Sequence, residues 1–509
     1  MQFAPKLVHA ASVAAVAFCS PSASASSTTP TSDWLPPQGL LNVLVIVLDD
    51  IGADQLRMYA NDPGPAYSCP QLQVSTTPTP TLDVMRATGI MYSRAYVNPL
   101  CSPTRSCLLT GRYGLRTGVG SAIDRGSTAY TLPNQELFVS ELIRDHNTKS
   151  YARGAFGKWH LAEPAARDAH AAENGFERFE GSKGNLDDHY TWRKVSAVGG
   201  AAPAGATSSA QTLTPGTEPP SEISWVASVT RRDAATWINA QTKPFFSYVC
   251  FNPPHAPFQV PPTRLVSKKT RSKLAALGYE PGERAAAPRA DQSLVYQAQI
   301  EAIDREIFEL LAAIVHKLPY TMVIVVGDNG TPSETVTDGS LSARVKRSVY
   351  ELGTRVPMIV TGPLAWWNAG STCRNMVGAV DLFRTIANFT GISNSKIDTA
   401  LAGLGTVNDS VSAYYTVLDP DAPPRRAYAY SELFANIAPP IPANVTWLRS
   451  ITDGSYRYVR RRLSGVNIEE LYDLAADPCN IADLRAPPNV LTPQQQSAFT
   501  TLSNAMNGI

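Results

Sequence analysis

Cys101 opens the stretch "CSPTRSCLLTGR", a thiol with proline at 103, arginine at 105 and a second thiol at Cys107. A nucleophile, half of a disulfide and a metal ligand are the ordinary uses of such a thiol, and each requires different company. The company here is oxygen and cation. Asp49-Asp50 and Asp328-Asn329 each end a continuous apolar run and supply hard oxygen donors suited to Ca²⁺ or Mg²⁺. Neither pair contains Cys or His, which argues against structural zinc. Lys158 in "GKWHL" and Lys346 in "VKRSVYELG" can clamp an anion, and Arg105 is permanently charged. His160 and His255 titrate near neutrality and can carry protons. Singly these signals are weak: Asp-Asn-Gly is turn chemistry, and an isolated lysine is usually a solvated one.

The ordered set is specific where its members are not. "CSPTRSCLLTGR" resembles the C-x-P-x-R motif and following T-G-R of the sulfatase family, in its formylglycine-dependent type I branch. "VLDDIG" (47–52), "GKWHL" (157–161), "PPHAPF" (253–258), "GDNG" (327–330) and "KRSVYELGTRVP" (346–357) follow in the family's order. "LYDLAADP" near the end resembles its C-terminal segment, although Cys479 stands where an acidic residue is common. The likeness runs from Leu41 to Leu484 and is most similar to the arylsulfatase B type. It implies an alkaline-phosphatase-like α/β fold, with a large, mostly parallel sheet flanked by helices and a smaller C-terminal α+β subdomain. It also implies hydrolysis of sulfate monoesters of aryl alcohols or sugars.

The resemblance assigns roles residue by residue. Cys101 is converted to formylglycine by a formylglycine-generating enzyme, which reads Pro103 and Arg105. Asp49, Asp50, Asp328 and Asn329 hold the metal, with residue 101 completing the shell; Ca²⁺ is expected, with Mg²⁺ the alternative. Lys158 and Lys346 clamp the sulfate, His255 protonates the departing alkoxide, and Arg105 and His160 attend residue 101. The chemistry explains the thiol. A serine or cysteine ester of sulfate needs a second displacement at a crowded, charged centre. A hydrated aldehyde offers two geminal hydroxyls: one attacks sulfur, and deprotonation of the other expels sulfate and restores the aldehyde. The bland reading of Cys101 is a buried thiol or a disulfide with Cys107; Cys107 itself reads as a packed helical residue. His146, His170, His189 and His316 read as satisfied imidazoles, His189 least securely.

Two rival readings share this pattern. One is a phosphate or phosphonate ester hydrolase of the same superfamily, distinguishable by turnover of nitrophenyl phosphate and phenylphosphonate. The other is a noncatalytic carbohydrate-binding relative, which has no need of the Cys101 motif.

The elements that position these residues are legible as apolar runs. "NVLVIVL" (42–48), "YTMVIVV" (320–326) and "PFFSYVCF" (244–251) suit strands buried on both faces, and ligand sites in such sheets lie beyond the strands' carboxyl ends. "LFVSELIRDH" (137–146) and "YQAQIEAIDREIFELLAAIVHKL" (296–318) carry apolar residues at helical spacing. Residues 196–220, rich in Ala, Gly, Ser, Thr and Pro, read as an exposed loop. After about Asp419 a hairpin turning at Asp453-Gly454 and a terminal helix over "TPQQQSAFTTLSNAM" form the tail. The expected division is therefore a signal peptide over 1–25, a catalytic domain over 41–419 and a subdomain over 420–509.

The chain of 509 residues carries 44 basic and 43 acidic side chains, so no summed field draws it to nucleic acid or an anionic membrane. Lys6, the apolar run from Leu7 to Phe18 and an A-x-A pattern at Ala23 and Ala25 read as a secretory signal, with no run long enough to span a bilayer. An exported protein is expected, secreted, periplasmic or lysosomal. Six cysteines beyond Cys19 are too few for a disulfide scaffold, and their pairing is not readable. Asn388, Asn408 and Asn444 lie in sequons that only a eukaryotic secretory pathway would use.

Overall fold

The computed structural model describes residues 41–60, 77–124, 130–164, 166, 168–199, 205–215, 222–285, 289–336, 338–442 and 444–509. The expected signal segment, Cys19 and Cys69 lie outside them. The large sheet contains β1 (Asn42–Leu48), β2 (Gly89–Tyr92), β4 (Ala152–Lys158), β5 (Arg178–Ser182), β6 (Trp192–Val198), β7 (Thr207–Leu213), β8 (Phe245–Cys250), β9 (Thr321–Gly327), β10 (Met358–Thr361) and β11 (Ser371–Cys373). Its order is β11-β2-β10-β9-β1-β8-β4-β5-β6-β7. The five central strands, β9 to β5, run parallel, while β10, β6 and β7 pair antiparallel to their neighbours. A two-stranded ladder joins β3 (Ala95–Tyr96) to β12 (Val377–Gly378).

Burial explains the unbroken apolar character of β1. Val43, Val45 and Val47 point into one core, Leu44, Ile46 and Leu48 into another, and none is more than 1% exposed. Each such side chain contributes about 1.5–3 kcal/mol by leaving water. The first core is roofed by α2 (Cys101–Thr110), α3 (Val139–His146) and α6 (Asp381–Phe389). The second is roofed by α1 (Pro80–Ala87), α4 (Val226–Asn239) and α5 (Arg289–Ala313). The long helical pattern thus starts earlier than expected and stops at Ala313, after which residues 315–320, with Pro319, tighten into a 3-10 helix.

Residues 196–220 depart from expectation. Val198 ends β6, and Thr207–Leu213 forms β7, an almost wholly exposed edge strand paired with β6. Strand pairing needs only backbone donors and acceptors, so a segment too polar to pack a core still adds to a sheet edge. A second sheet of β13 (Ala429–Phe434), β14 (Trp447–Thr452), β15 (Tyr456–Leu463) and β16 (Val466–Asp473) is antiparallel, with the expected Asp453-Gly454 turn between β14 and β15. Helix α7 (Pro493–Asn507), closed by a Thr492–Gln495 capping box, packs on β14 and β15. Among the described residues no helix is long and apolar enough to cross a membrane.

Candidate active site

Strand order does the assembling. β9, β1, β8 and β4 are consecutive parallel neighbours, so their carboxyl ends lie side by side about 4.8 Å apart per strand. Asp328-Asn329 follow β9, Asp49-Asp50 follow β1, His255 follows β8, and Lys158 closes β4 with His160 just beyond. Residues as far apart as 49 and 328 are thereby brought together. The Asp50 N–H donates to Asp328 Oδ1 at 3.1 Å. The tight packing demands glycines at two points: Gly157 has φ of 86°, and a Cβ on Gly330 would lie 1.8 Å from the Leu352 carbonyl oxygen.

Cys101 is the first residue of α2, so its side chain stands at the helix's positive end, in front of the acidic cluster. Its Sγ is 3.6 Å from Asp49 Oδ1 and 3.4 Å from Lys158 Nζ. It forms no disulfide; neither do Cys107, Cys250 and Cys373. Cys107 accepts from Asn98 Nδ2 in the core, and Cys479 is disulfide-bonded. Burial pushes the Cys101 thiol above its usual range, with Lys158 opposing.

Three carboxylates face three cations. Lys158 Nζ donates to Asp49 Oδ2, and Lys346 Nζ lies 2.6 Å from Asp50 Oδ1. Arg105, one turn into α2, gives Nε and Nη2 to Asp328 Oδ2 at 3.1 and 2.7 Å and Nη1 to the Lys158 carbonyl at 2.9 Å. Its guanidinium is thus committed to Asp328 and the β4 backbone rather than to residue 101, which the family resemblance implies that it attends. Burial, then Asp328, raises Asp49 to about 7. Burial also pushes Asp50 upward, but Lys346, His255 and Lys158 outweigh it and hold that carboxyl below its ordinary value.

The donor set fits a divalent cation. Oxygen or sulfur or nitrogen atoms of Asp49, Asp50, Cys101 and His255 all lie within 4.8 Å of one another. The Asn329 amide donates to Asp50 Oδ1 at 2.8 Å while its Oδ1 is buried with no hydrogen-bond partner. An orphaned amide oxygen beside paired carboxylates is a ready ligand for a hard cation. Asp328 is more engaged than expected, one oxygen on the Asp50 N–H and the other on Arg105.

The histidines differ in setting. His160 is fully buried, has left-handed φ of 59°, and leaves both ring nitrogens without a hydrogen bond; Nε2 is 3.6 Å from Asp124 Oδ1. Burial, then Lys158, lowers it to about 4, so it is neutral near pH 7. No hydrogen bond joins it to Cys101. His255 bonds the Ala256 carbonyl through Nδ1 at 2.7 Å and turns Nε2 toward Asp50 Oδ2, 3.9 Å away. Burial and Lys346 hold it well below its usual range, with Asp50 opposing. His170 lies between Trp159 and Leu132 in the core, and His189 is buried beside Gln299.

Some contributors escaped the sequence reading. Tyr296 of α5 donates to the Asp50 carbonyl at 2.6 Å and fixes that left-handed residue. Asp124 carries no motif; its loop is pinned by the Ile123 N–H on Ser102 Oγ at 2.9 Å and by Asn436 on Gly120, Ser121 and Ala122.

The family model described as Sulfatase matches residues 41–392. N-acetylgalactosamine-6-sulfatase of Homo sapiens is 25% identical over 397 residues, 71% of this chain and 64% of that protein. Arylsulfatase A of Bos taurus is 25% identical over 369 residues, 69% of this chain and 64% of that protein. The matched part therefore spans less than two thirds of the length of these relatives. A protein solved with its substrate D-glucosamine-2-N,6-O-disulfate superposes with a TM-score of 0.64 at 16% identity, covering 92% of this chain and 98% of that one, which is a likeness of fold.

Proposed function

Because the chain belongs to the sulfatase family, we propose that it hydrolyses sulfate monoesters, of aryl alcohols or sugars, to the alcohol and inorganic sulfate. The single observation behind this reading is the placement of Cys101, within 3.6 Å of both Asp49 and Lys158 at the head of a helix aimed into the carboxylate cluster. In the mature protein residue 101 is formylglycine, made from the cysteine by the maturation enzyme, and its hydrated aldehyde supplies the attacking hydroxyl. Ca²⁺, or Mg²⁺ in its place, is held by Asp49, Asp50, Asp328, Asn329 and residue 101, and when bound supplies positive charge to the sulfuryl oxygens.

The chain's own residues do the rest. Lys158 and Lys346, each now resting on a carboxylate, present ammonium donors to the nonbridging oxygens of the ester. Arg105 holds the Asp328 carboxylate in place. His160, neutral and without a hydrogen bond, accepts the proton lost when sulfate leaves residue 101. His255 sits at the mouth of the cluster and donates to the departing alkoxide; its Nε2 gains a proton more readily once an anionic ester lies beside it. Catalysis is assigned to residues 41–419, with 420–509 a supporting subdomain, in a protein exported after loss of 1–25.

The test is peptide mass spectrometry over residues 95–112 of protein from its native host, with turnover of nitrophenyl sulfate, nitrophenyl phosphate and phenylphosphonate. An aldehyde at 101 and preference for the sulfate are expected. An unmodified cysteine in active protein, or full activity in C101A, ends the proposal; a preference for phosphate or phosphonate moves it to the rival hydrolase class.

A further inference from the structure

Arg347 follows Lys346 yet serves none of the contacts described above. Its backbone is left-handed, φ 73°, as are Asp50 and His160, so three of the five such non-glycine residues among those described cluster around the site. The segment is pinned on two sides: the Lys346 N–H donates to the Thr331 carbonyl beyond β9 at 2.9 Å, and the Arg347 N–H to the Pro99 carbonyl just before α2 at 3.0 Å. Strained backbone held by fixed neighbours is a mark of positioning. Here it sends Lys346 inward to Asp50 and leaves Arg347 exposed at the rim.

Arg347 is also uncommitted. Arg105 is bound to Asp328, Lys158 to Asp49 and Lys346 to Asp50, whereas no hydrogen bond or ion pair to a described residue engages the Arg347 guanidinium. Asp124 shares the rim through the Ile123–Ser102 anchor and is half exposed, with Oδ1 3.6 Å from His160. That carboxyl is held below its usual range, first by His160, with Arg347 among the lesser contributors. Arg347 thus acts on the rim electrostatically without closing an ion pair there.

We propose that Arg347 is a specificity-determining cation that recognises a second anionic group on the substrate, a carboxylate or another sulfate, when the scissile sulfate lies between Lys158 and Lys346. The inference rests on the sulfatase reading and narrows its substrate class to acidic or multiply sulfated glycans. With a net charge of only +1 the chain has no general field to gather polyanions, so a local guanidinium with planar paired donors is the means available.

The experiment compares kcat/KM of the mature enzyme, R347G and R347K on nitrophenyl sulfate, a monosulfated N-acetylhexosamine, its disulfated counterpart and a monosulfated disaccharide containing a uronate. Glycine accepts the left-handed backbone without strain, so R347G removes the cation while retaining the loop. Expected is a loss of about tenfold or more on one or both doubly anionic sugars, the scale of one charge-assisted hydrogen bond, exceeding any loss on the two monoanions. R347K should recover part of it, and added salt should raise the wild-type KM for the sensitive sugar more steeply than that of R347G. Sensitivity to the disulfated sugar assigns a second sulfate; sensitivity to the uronate sugar assigns a carboxylate. Arg271→Gln, an exposed arginine on the helix Lys268–Ala276, controls for loss of surface charge and should leave the ratios unchanged. Equal effects of R347G on all four esters, or none, overturn this inference while the sulfatase reading stands; failure of the wild type on every sulfate ester removes both.

Discussion

Arg105 Nη2 lies 2.7 Å from Asp328 Oδ2, and neither side chain has any solvent exposure. The pair joins the first turn of α2 to the end of β9, so the helix bearing Cys101 is fixed to the strand bearing Asp328-Asn329. A charge in this position is stable only with its partner. R105A should therefore lose about 3–5 kcal/mol of unfolding free energy by leaving Asp328 uncompensated. R105K, which keeps the charge but loses the paired geometry, should fall between. Urea unfolding of the three proteins decides; an R105A curve overlying wild type would show that the pair carries no structural load.

The orphaned Asn329 oxygen gives a metal prediction that needs no activity measurement. After chelation, returning Ca²⁺ should raise the unfolding temperature, by the equivalent of about 2.7 kcal/mol at a hundredfold excess over Kd. N329A should bind Ca²⁺ more weakly and show a smaller rise at the same concentration, because its amide oxygen has no other partner. The assignment of Asn329 as a ligand fails if calorimetry gives both proteins the same affinity.

Acid should destabilise the fold through His170. Trp159 Nε1 donates to its Nδ1 at 2.9 Å, and its Nε2 faces the Leu132 carbonyl at 2.8 Å, so the buried ring is neutral with its proton on Nε2. Burial holds its pKa below the ordinary value. With the folded value depressed, the unfolded chain binds the extra proton first. Stability is complete above the unfolded pKa of about 6.5 and is lost as pH falls below it. H170Q can still accept from Trp159 and donate to Leu132 but does not titrate, so its stability between pH 7.5 and 5 should fall less steeply than wild type. Parallel slopes in thermal unfolding would remove His170 from the account.

Glycosylation in a eukaryotic host should be selective. Asn388 Nδ2 donates to the Ile392 carbonyl and Asn408 Nδ2 to the Thr110 carbonyl, whereas Asn444 is exposed. Glycopeptide analysis should find a glycan at Asn444 in preference to the other two. Full occupancy of Asn408 would contradict the docking of its amide on α2.

Particular residues show where the sequence was readable. "NVLVIVL" and "YTMVIVV" gave up their place because a strand buried on both faces must be apolar throughout, and its polar successors must then lie at the strand end. The ribbon over Thr207–Leu213 was hidden for the opposite reason: an exposed edge strand satisfies its backbone without any apolar signature. Asp124 and Tyr296 were equally silent, since neither stands in a motif and each reaches the site through a contact distant in sequence, with His160 or the Asp50 carbonyl.

The sequence alone determined the inventory: an ordered family pattern, hard oxygen donors after two buried runs, and the thiol, lysines and histidines able to serve them. Tertiary structure decided the partnerships. Whether Arg105 holds residue 101 or Asp328, whether His160 has a partner, and whether Arg347 is engaged or free depend on distance and burial. Electrostatic energies rise steeply as charges approach and lose water, and those separations exist only once β9, β1, β8 and β4 lie side by side.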